Sequence, residues 1–247
     1  MKLGIDNFEQ FKIFFDVIYD ITDLIELQLF ETHMLCSILD KSHSRFMTVE
    51  YKAEFFSLYE VDGAESVTVF AEDLHKIIKS VNNVDNVLLE ANNDYMICKV
   101  ESRNGNSRVF EFVLPAEYIE SPQPPSLTLP VTLELSLSDL KQGIKDLKIV
   151  GSDIVKFVVS ENQLNIIAGT EITTNYSYNC AVDVSVDWNM SSMFSLGYIE
   201  QLLKFEKINK TVELKLGNDY PLVYSFEDDI MGVKVSGLIA PRLEIED

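Results

Sequence analysis

The sequence predicts an α+β protein built of two tandem, similar domains, each with helices on one side of a mainly antiparallel sheet. Three observations predict it: an internal duplication, amphipathic helix stripes that recur in both halves, and a proline-rich span between them. The duplication is clearest where Val87–Lys99 (VLLEANNDYMICK) meets Val212–Tyr224 (VELKLGNDYPLVY), 125 residues apart, so that Asn93-Asp94-Tyr95 falls on Asn218-Asp219-Tyr220. At the same offset Leu74, Ile77, Ile78 and Lys79 fall on Ile199, Leu202, Leu203 and Lys204, and the run ending in Pro115 matches the one ending in Pro241 with one extra residue.

The elements follow in order. Phe8, Phe11, Phe15 and Ile18 have the i, i+3, i+7, i+10 spacing of one apolar helix stripe, and Leu137, Leu140, Ile144 and Leu147 repeat it 129 residues later. Two strand-like runs follow each stripe: Leu24–Phe30 and Met34–Leu39, then Asp153–Val159 and Leu164–Ala168. A second helix with Leu74, Ile77 and Ile78, or Ile199, Leu202 and Leu203, comes next, and then further strands. Asn93-Asp94, Asn104-Gly105 and Asn218-Asp219 mark hairpin turns. Five of the seven prolines (Pro115, Pro122, Pro124, Pro125, Pro130) lie between Pro115 and Pro130. Proline fixes φ and removes a donor, so this span is expected to be extended and exposed. The expected organisation is therefore a first domain over residues 1–115, a connecting loop over 116–130 and a second domain over 131–247.

Of 247 residues, 47% are hydrophobic and 24% charged, which excludes a disordered chain. No apolar run reaches the ~20 residues that span a bilayer. Residues Met1 to Gln10 carry Asp6 and Glu9 and lack the apolar core of a secretory signal, so an intracellular, soluble protein without membrane partners is expected. Cys36, Cys98 and Cys180 are odd in number, far apart and set in apolar runs, and read as reduced core residues.

The net charge of −20 alone argues against nucleic acid. The cations, however, gather on the helices: Lys12; Lys76 and Lys79; Lys141, Lys145 and Lys148; Lys204 and Lys207, with Lys210 just beyond. Lys141, Lys145 and Lys148 form a stripe opposite Leu140, Ile144 and Leu147. Two readings stand side by side: solvated outer faces of amphipathic helices, or one basic surface that touches phosphates without reading bases. Glu9, Asp16, Asp20 and Asp23 around the first helix weigh against the second reading.

Several segments resemble the sliding clamps of archaea and eukaryotes, the proliferating cell nuclear antigen family. Leu238-Ile239-Ala240-Pro241-Arg242-Leu243-Glu244 resembles the clamp ending Leu-Ala-Pro-Lys/Arg with its acidic tail. Asp219-Tyr220-Pro221-Leu222-Val223 resembles Asp-x-Pro-Leu, and Leu39-Asp40-Lys41-Ser42-His43 the Asp-x-Ser-His loop. Ser121-Pro122-Gln123-Pro124-Pro125 is similar to archaeal connectors, and Ser192–Lys204 to the start of the last helix. The resemblance implies the DNA-clamp fold: three subunits closing head to tail into a pseudo-sixfold ring, with helices lining the inner face and antiparallel sheets outside. Strand pairing between about Ser107–Leu114 of one subunit and Thr173–Ala181 of the next would join them. Double-stranded DNA would pass through, contacted loosely by the helix lysines. DNA polymerase, a clamp loader and other partners would dock by short motifs in a pocket of Leu39, His43, Ser44, Pro122, Pro124, Pro221, Ile239, Ala240 and Pro241. Ser44 is a polar departure at the edge of that pocket. A subunit of a heterotrimeric clamp, and an acidic scaffold of the same fold that does not encircle DNA, are the alternatives.

Enzymatic chemistry finds no support in motifs. GxxxxGK[ST], GxGxxG, CxxC, HExxH and GxSxG are absent. His33, His43 and His75 are scattered, with His75 reading as a surface residue. No catalytic residue, metal or cofactor is expected.

Overall fold

The computed structural model describes residues 1–6, 8–82, 85–92, 94–116, 119–160, 163–168, 177–181 and 190–243, the stretch 177–181 by its backbone only. Two compact units emerge: residues 1–41, 47–123 and 227–235 form the first, and 42–46, 124–226 and 236–247 the second. Every strand pair described below is antiparallel.

The chain begins with β1 (Lys2–Ile5), α1 (Phe8–Ile18), β2 (Leu24–Leu29), β3 (His33–Leu39) and β4 (Arg45–Lys52). A 3₁₀ turn at Ala53–Phe55 leads to β5 (Leu58–Glu60), β6 (Glu65–Phe70), α2 (Ala71–Ser80), β7 (Asn86–Ala91), β8 (Tyr95–Glu101) and β9 (Ser107–Val113). In the first unit a five-stranded sheet runs β5-β1-β7-β8-β9, and β2 pairs with β3 on one side and β6 on the other. Gly4 lets β1 approach β5: a Cβ there would lie 2.9 Å from the Ser57 Oγ and 3.0 Å from the Leu58 Cβ. Helix α1 buries the expected Phe8, Phe11, Phe15 and Ile18, and also Ile13, Phe14 and Val17. It is apolar around most of its circumference because its rings knit a cluster with β4: the Phe11 ring lies tilted 4.4 Å from that of Phe15 and 5.6 Å from that of Tyr51. In the β8–β9 turn, Gly105 takes φ +83°, a left-handed conformation suited to glycine. Residue 93 of the β7–β8 turn lies outside the described residues, but the Asn92 Oδ1 accepts from Asp94 and Tyr95 N–H at 2.9 Å each.

The second half repeats the order: β10 (Val131–Ser136), α3 (Leu137–Ile149), β11 (Ile154–Ser160), β12 (Gln163–Ala168), β13 (Ser177–Ala181), β14 (Met190–Ser195), α4 (Leu196–Leu202), β15 (Thr211–Leu216), β16 (Leu222–Asp228) and β17 (Val233–Ile239). A four-stranded sheet runs β13-β12-β11-β14, and β10 pairs β15, which pairs β16. Ser136 caps α3, its Oγ accepting from Asp139 N–H. Both stripes read from the sequence are buried, as are Leu74, Ile77 and Ile78 with their counterparts Ile199, Leu202 and Leu203. The repeat extends to hydrogen bonds: Ala71 N–H donates to the Asp23 carbonyl at the start of α2, and Leu196 N–H to the Asp153 carbonyl at the start of α4, both 2.9 Å.

Two local expectations change. The last helix is α-helical only to Leu202 and then tightens into a 3₁₀ segment, Leu203–Lys207. Leu203, Phe205 and Ile208 are all buried, a spacing that a 3.6-residue turn does not place on one side. His75, read as a surface residue, is only partly exposed. Its ring is half-buried, stacked on Tyr19 at 4.0 Å, with Nδ1 3.6 Å from an Asp16 oxygen.

Candidate functional site

The helix lysines fall into two groups, one in each unit. In the first, Lys12 is half-buried on α1. Lys76 is exposed and pairs within α2 with Glu72 (2.8 Å) and Asp73 (3.6 Å). Lys79 reaches across to Asp16 of α1 at 3.1 Å. Three lysines thus stand among Glu9, Asp16, Glu72 and Asp73, and this helix pair carries no excess of positive charge.

The second unit concentrates its cations. Lys141 on α3 bonds the Glu206 carboxylate of the 3₁₀ segment, and Lys210 donates to the Glu206 carbonyl at 3.2 Å. The Lys141 bond, with Lys210 and Lys145 nearby, holds the Glu206 carboxyl below the usual carboxylate range. Lys145 is exposed one turn along α3, and Lys148 pairs with Glu200 of α4 at 2.6 Å. Lys204 and Lys207 are exposed on the 3₁₀ segment. Glu206 is therefore a node around which three of the expected phosphate-contacting lysines gather. These solvated pairs organise side chains more than they stabilise the fold.

The residues expected to form the peptide pocket lie in loops and strand ends. Leu39 ends β3, half-buried, and Pro122 is half-buried in the first unit's share of the connector. In the second unit His43 is exposed at φ +56°, a left-handed turn position that histidine tolerates better than bulkier residues. The next residue is tied to the chain's final segment: the Ser44 carbonyl accepts from Ala240 N–H at 2.8 Å. Ile239 is buried, Ala240 and Pro241 are half-buried, and Arg242 N–H donates to Met193 at 2.8 Å. Pro221 is half-buried behind the exposed Tyr220, and Pro124 is exposed. The structure thus brings the Ser44 and Ala240 backbones together and leaves Pro124 in the open connector.

Sequence reasoning missed three participants. Arg45 fixes the segment that bears His43 and Ser44, donating to the Gln201 Oε1 at 2.5 Å and lying 4.4 Å over the Tyr198 ring. Tyr224 is buried against Gly237, and its phenol is pushed well above its ordinary range by burial, with Arg45 opposing. Ser121, inside the span expected to be exposed, is buried and bonds the buried Glu26. No local periodicity encodes contacts of such separation.

At the outer edge of the five-stranded sheet, β9 leaves Val109 and Val113 each 61% exposed, side chains that would pack against another surface. At the far edge of the four-stranded sheet is β13; residues 173–176 of the expected pairing segment Thr173–Ala181 lie outside the described residues. Among the described residues no group of three or more His, Cys, Asp or Glu could hold a metal, and no helix is long and apolar enough to cross a membrane. Burial pushes the Cys36 thiol far up and the Cys98 thiol up to about 12, which leaves both poor nucleophiles.

Comparison with known proteins gives a consistent family. Residues 4–121 match the family model of the proliferating cell nuclear antigen, N-terminal domain. A DNA polymerase sliding clamp of Methanothermobacter thermautotrophicus is 30% identical over 236 residues, covering 94% of each chain. One of Methanobrevibacter smithii is 28% identical, covering 96% of this chain and 95% of its own. Among solved structures, PCNA from Thermococcus kodakaraensis superposes with a TM-score of 0.85 at 18% identity, over 98% of this chain and 99% of its own. The PCNA2–PCNA3 complex from Sulfolobus tokodaii gives 0.84 at 22%, with the same coverage. PCNA from A. fulgidus, solved with the C-terminal region of FEN-1, gives 0.85 at 20% over 99% of both chains. With the doubled α+β unit, the basic node on the second helix pair and a relative 30% identical along nearly its whole length, the chain belongs to the proliferating cell nuclear antigen family of DNA polymerase sliding clamps.

Proposed function

We propose that this chain works as a DNA sliding clamp: three two-domain subunits close into a ring around duplex DNA and tether DNA polymerase and other partners, with no catalytic step of its own. The observation that carries this reading is the near full-length relationship to sequences named DNA polymerase sliding clamp. The tandem organisation is taken as domains over 1–115 and 131–247 with 116–130 between them. Subunits join by pairing β9 of one with β13 of the next, which covers two sheet edges and the exposed Val109 and Val113. Lys12, Lys76, Lys79, Lys141, Lys145, Lys148, Lys204, Lys207 and Lys210 face the DNA, and sequence-independent phosphate contact keeps the ring mobile. Retention is topological, so the tether raises a polymerase's effective concentration at the primer end without tight binding. A net charge of −20 then disfavours DNA on the remaining surface.

Partners dock through an extended peptide on Leu39, His43, Ser44, Pro122, Pro124, Pro221, Ile239, Ala240 and Pro241, by apolar anchoring and backbone hydrogen bonds. The related archaeal clamp solved with a FEN-1 C-terminal region supports this mode. A clamp that acts on chromosomal DNA works inside the cell. The decisive experiment is primer extension on a primed circular template with a clamp loader and polymerase. Longer products are expected on adding this chain, and unchanged product length from a ring that is demonstrably intact sinks the reading in favour of a scaffold. A heterotrimer subunit is the second reading, favoured by the likeness to a complex of two different clamp subunits. Light scattering on the pure chain separates the two: a trimer supports self-closure, a monomer the mixed ring.

A further inference from the structure

We propose that Glu26 is a positioning residue for partner binding: it anchors the connector at Ser121 and so fixes how the following prolines are presented. This inference rests on the reading that partners dock against the connector. The connector has no helix or strand among its described residues, and Glu120, Gln123, Pro124, Pro125 and Ser126 are exposed. Ser121 departs from this, with only 5% of its surface exposed. Its hydroxyl donates to the Glu26 Oε2, 95 residues away in sequence.

Glu26 is wholly buried, on β2 between Ile25 and Leu27, and its Oε1 has no hydrogen-bond partner. The Cys36 thiol is buried within electrostatic reach of Glu26. A carboxyl at such a strand position is costly unless it is hydrogen-bonded, and an apolar side chain would serve the core better. What the carboxyl provides is a fixed, directional acceptor beneath the connector.

The covalent neighbour makes that anchor effective. Ser121 precedes Pro122, so its own backbone is restricted to extended conformations and the next φ is held near −65°. A bond that fixes Ser121 therefore sets the direction of the Pro122–Pro125 segment with little slack. A pre-ordered strap binds an extended peptide at lower entropic cost than a loose one.

Amide hydrogen exchange over residues 119–126 and binding of a synthetic peptide from the FEN-1 C-terminal region test this on the assembled full chain. Ser121→Ala and Glu26→Leu are expected to speed exchange in 119–126 and weaken the peptide about three- to tenfold. Glu26→Gln, which keeps an acceptor, is expected to restore both. Glu26→Leu is expected to hold or raise the melting temperature while still loosening the connector, a separation that a purely structural role does not produce. Unchanged exchange in both Ser121→Ala and Glu26→Leu overturns the anchor, and faster exchange with unchanged peptide affinity overturns its role in binding. A wild-type ring that takes up no peptide overturns the partner reading instead, and the exchange data then still decide the anchor.

Discussion

Gly237 and Tyr224 show how tightly single side chains fix the second unit. A Cβ on Gly237 would run into the Tyr224 phenol oxygen and lie 2.6 Å from the Phe46 carbonyl oxygen. The φ of Gly237 is not unusual, so the need for glycine is one of space alone. Backbone and a buried ring cannot yield as a flexible chain end can, and Gly237→Ala is expected to destabilise the protein by about 1–3 kcal/mol, the cost of overpacking. Urea denaturation checks this, and a loss under a few tenths would mean that the Tyr224 ring can swing away. Gly237 also precedes Leu238 and Ile239, so peptide binding should fall with it even at temperatures where the fold survives. The cysteines give a second test at this scale. Burial raises both the Cys36 and Cys98 thiols, Cys98 to about 12, so neither holds thiolate at neutral pH. In a Cys180→Ser chain at pH 8, a disulfide reagent is expected to modify nothing in the native protein during the time that the denatured chain reacts fully. Rapid modification would show that the core around β3 or β8 opens readily.

Among the elements, α3 and the 3₁₀ segment are coupled through Glu206, whose carboxyl is held low first by the Lys141 bond and then by the charges of Lys141, Lys210 and Lys145. A carboxyl depressed in the folded state adds stability above its unfolded value of about 4.3, and that contribution is lost as pH falls through the lower folded value. Acidification through that lowered folded value is thus expected to release Lys141 from the 3₁₀ segment. Glu206→Gln should remove the associated proton uptake, measured by NMR titration of the carboxyl carbons; an identical titration in the variant would remove Glu206 from the node. How much of these elements could be read in advance follows from the range of the interactions. The stripes Phe8–Ile18 and Leu137–Leu147 were legible because a helix repeats its contacts every 3.6 residues. The Asn104-Gly105 turn was legible because its chemistry is local. The 3₁₀ continuation at Leu203–Lys207 was not, since Lys204 and Lys207 fit an α-helical spacing as well and only packing of Leu203, Phe205 and Ile208 decides. His75 looked solvent-facing because its stacking partner, Tyr19, and its neighbour Asp16 belong to another helix. The Arg45–Gln201 bond and the Ser121–Glu26 anchor join residues 156 and 95 positions apart, and no periodicity reports such pairs.

For the whole molecule, the question is where a chain of net charge −20 tolerates phosphate. The two helix pairs differ in their answer. In the first unit Lys12, Lys76 and Lys79 face Glu9, Asp16, Glu72 and Asp73, and Lys76 and Lys79 are engaged by those carboxylates. In the second, Lys141, Lys145, Lys148, Lys204 and Lys207 stand against Asp139, Asp146, Glu200 and Glu206, with Lys210 beside them. Counterion release makes affinity for duplex DNA fall with salt in proportion to the phosphates neutralised, about 0.9 in log–log slope for each. Reversing Lys145, Lys148 and Lys204 to glutamate is therefore expected to flatten the slope by about 2–3 and to shorten primer-extension products. Reversing Lys12, Lys76 and Lys79 is expected to change the slope by less than half as much, because that helix pair, with Glu9, Asp16, Glu72 and Asp73 around its three lysines, carries no excess of positive charge. Both triple variants replace helix-surface side chains, so unchanged melting and ring size on light scattering control for folding. Equal losses from the two sets would show that the first helix pair contacts DNA as closely as the second, and the local charge balance of each unit would then not decide where the duplex is held.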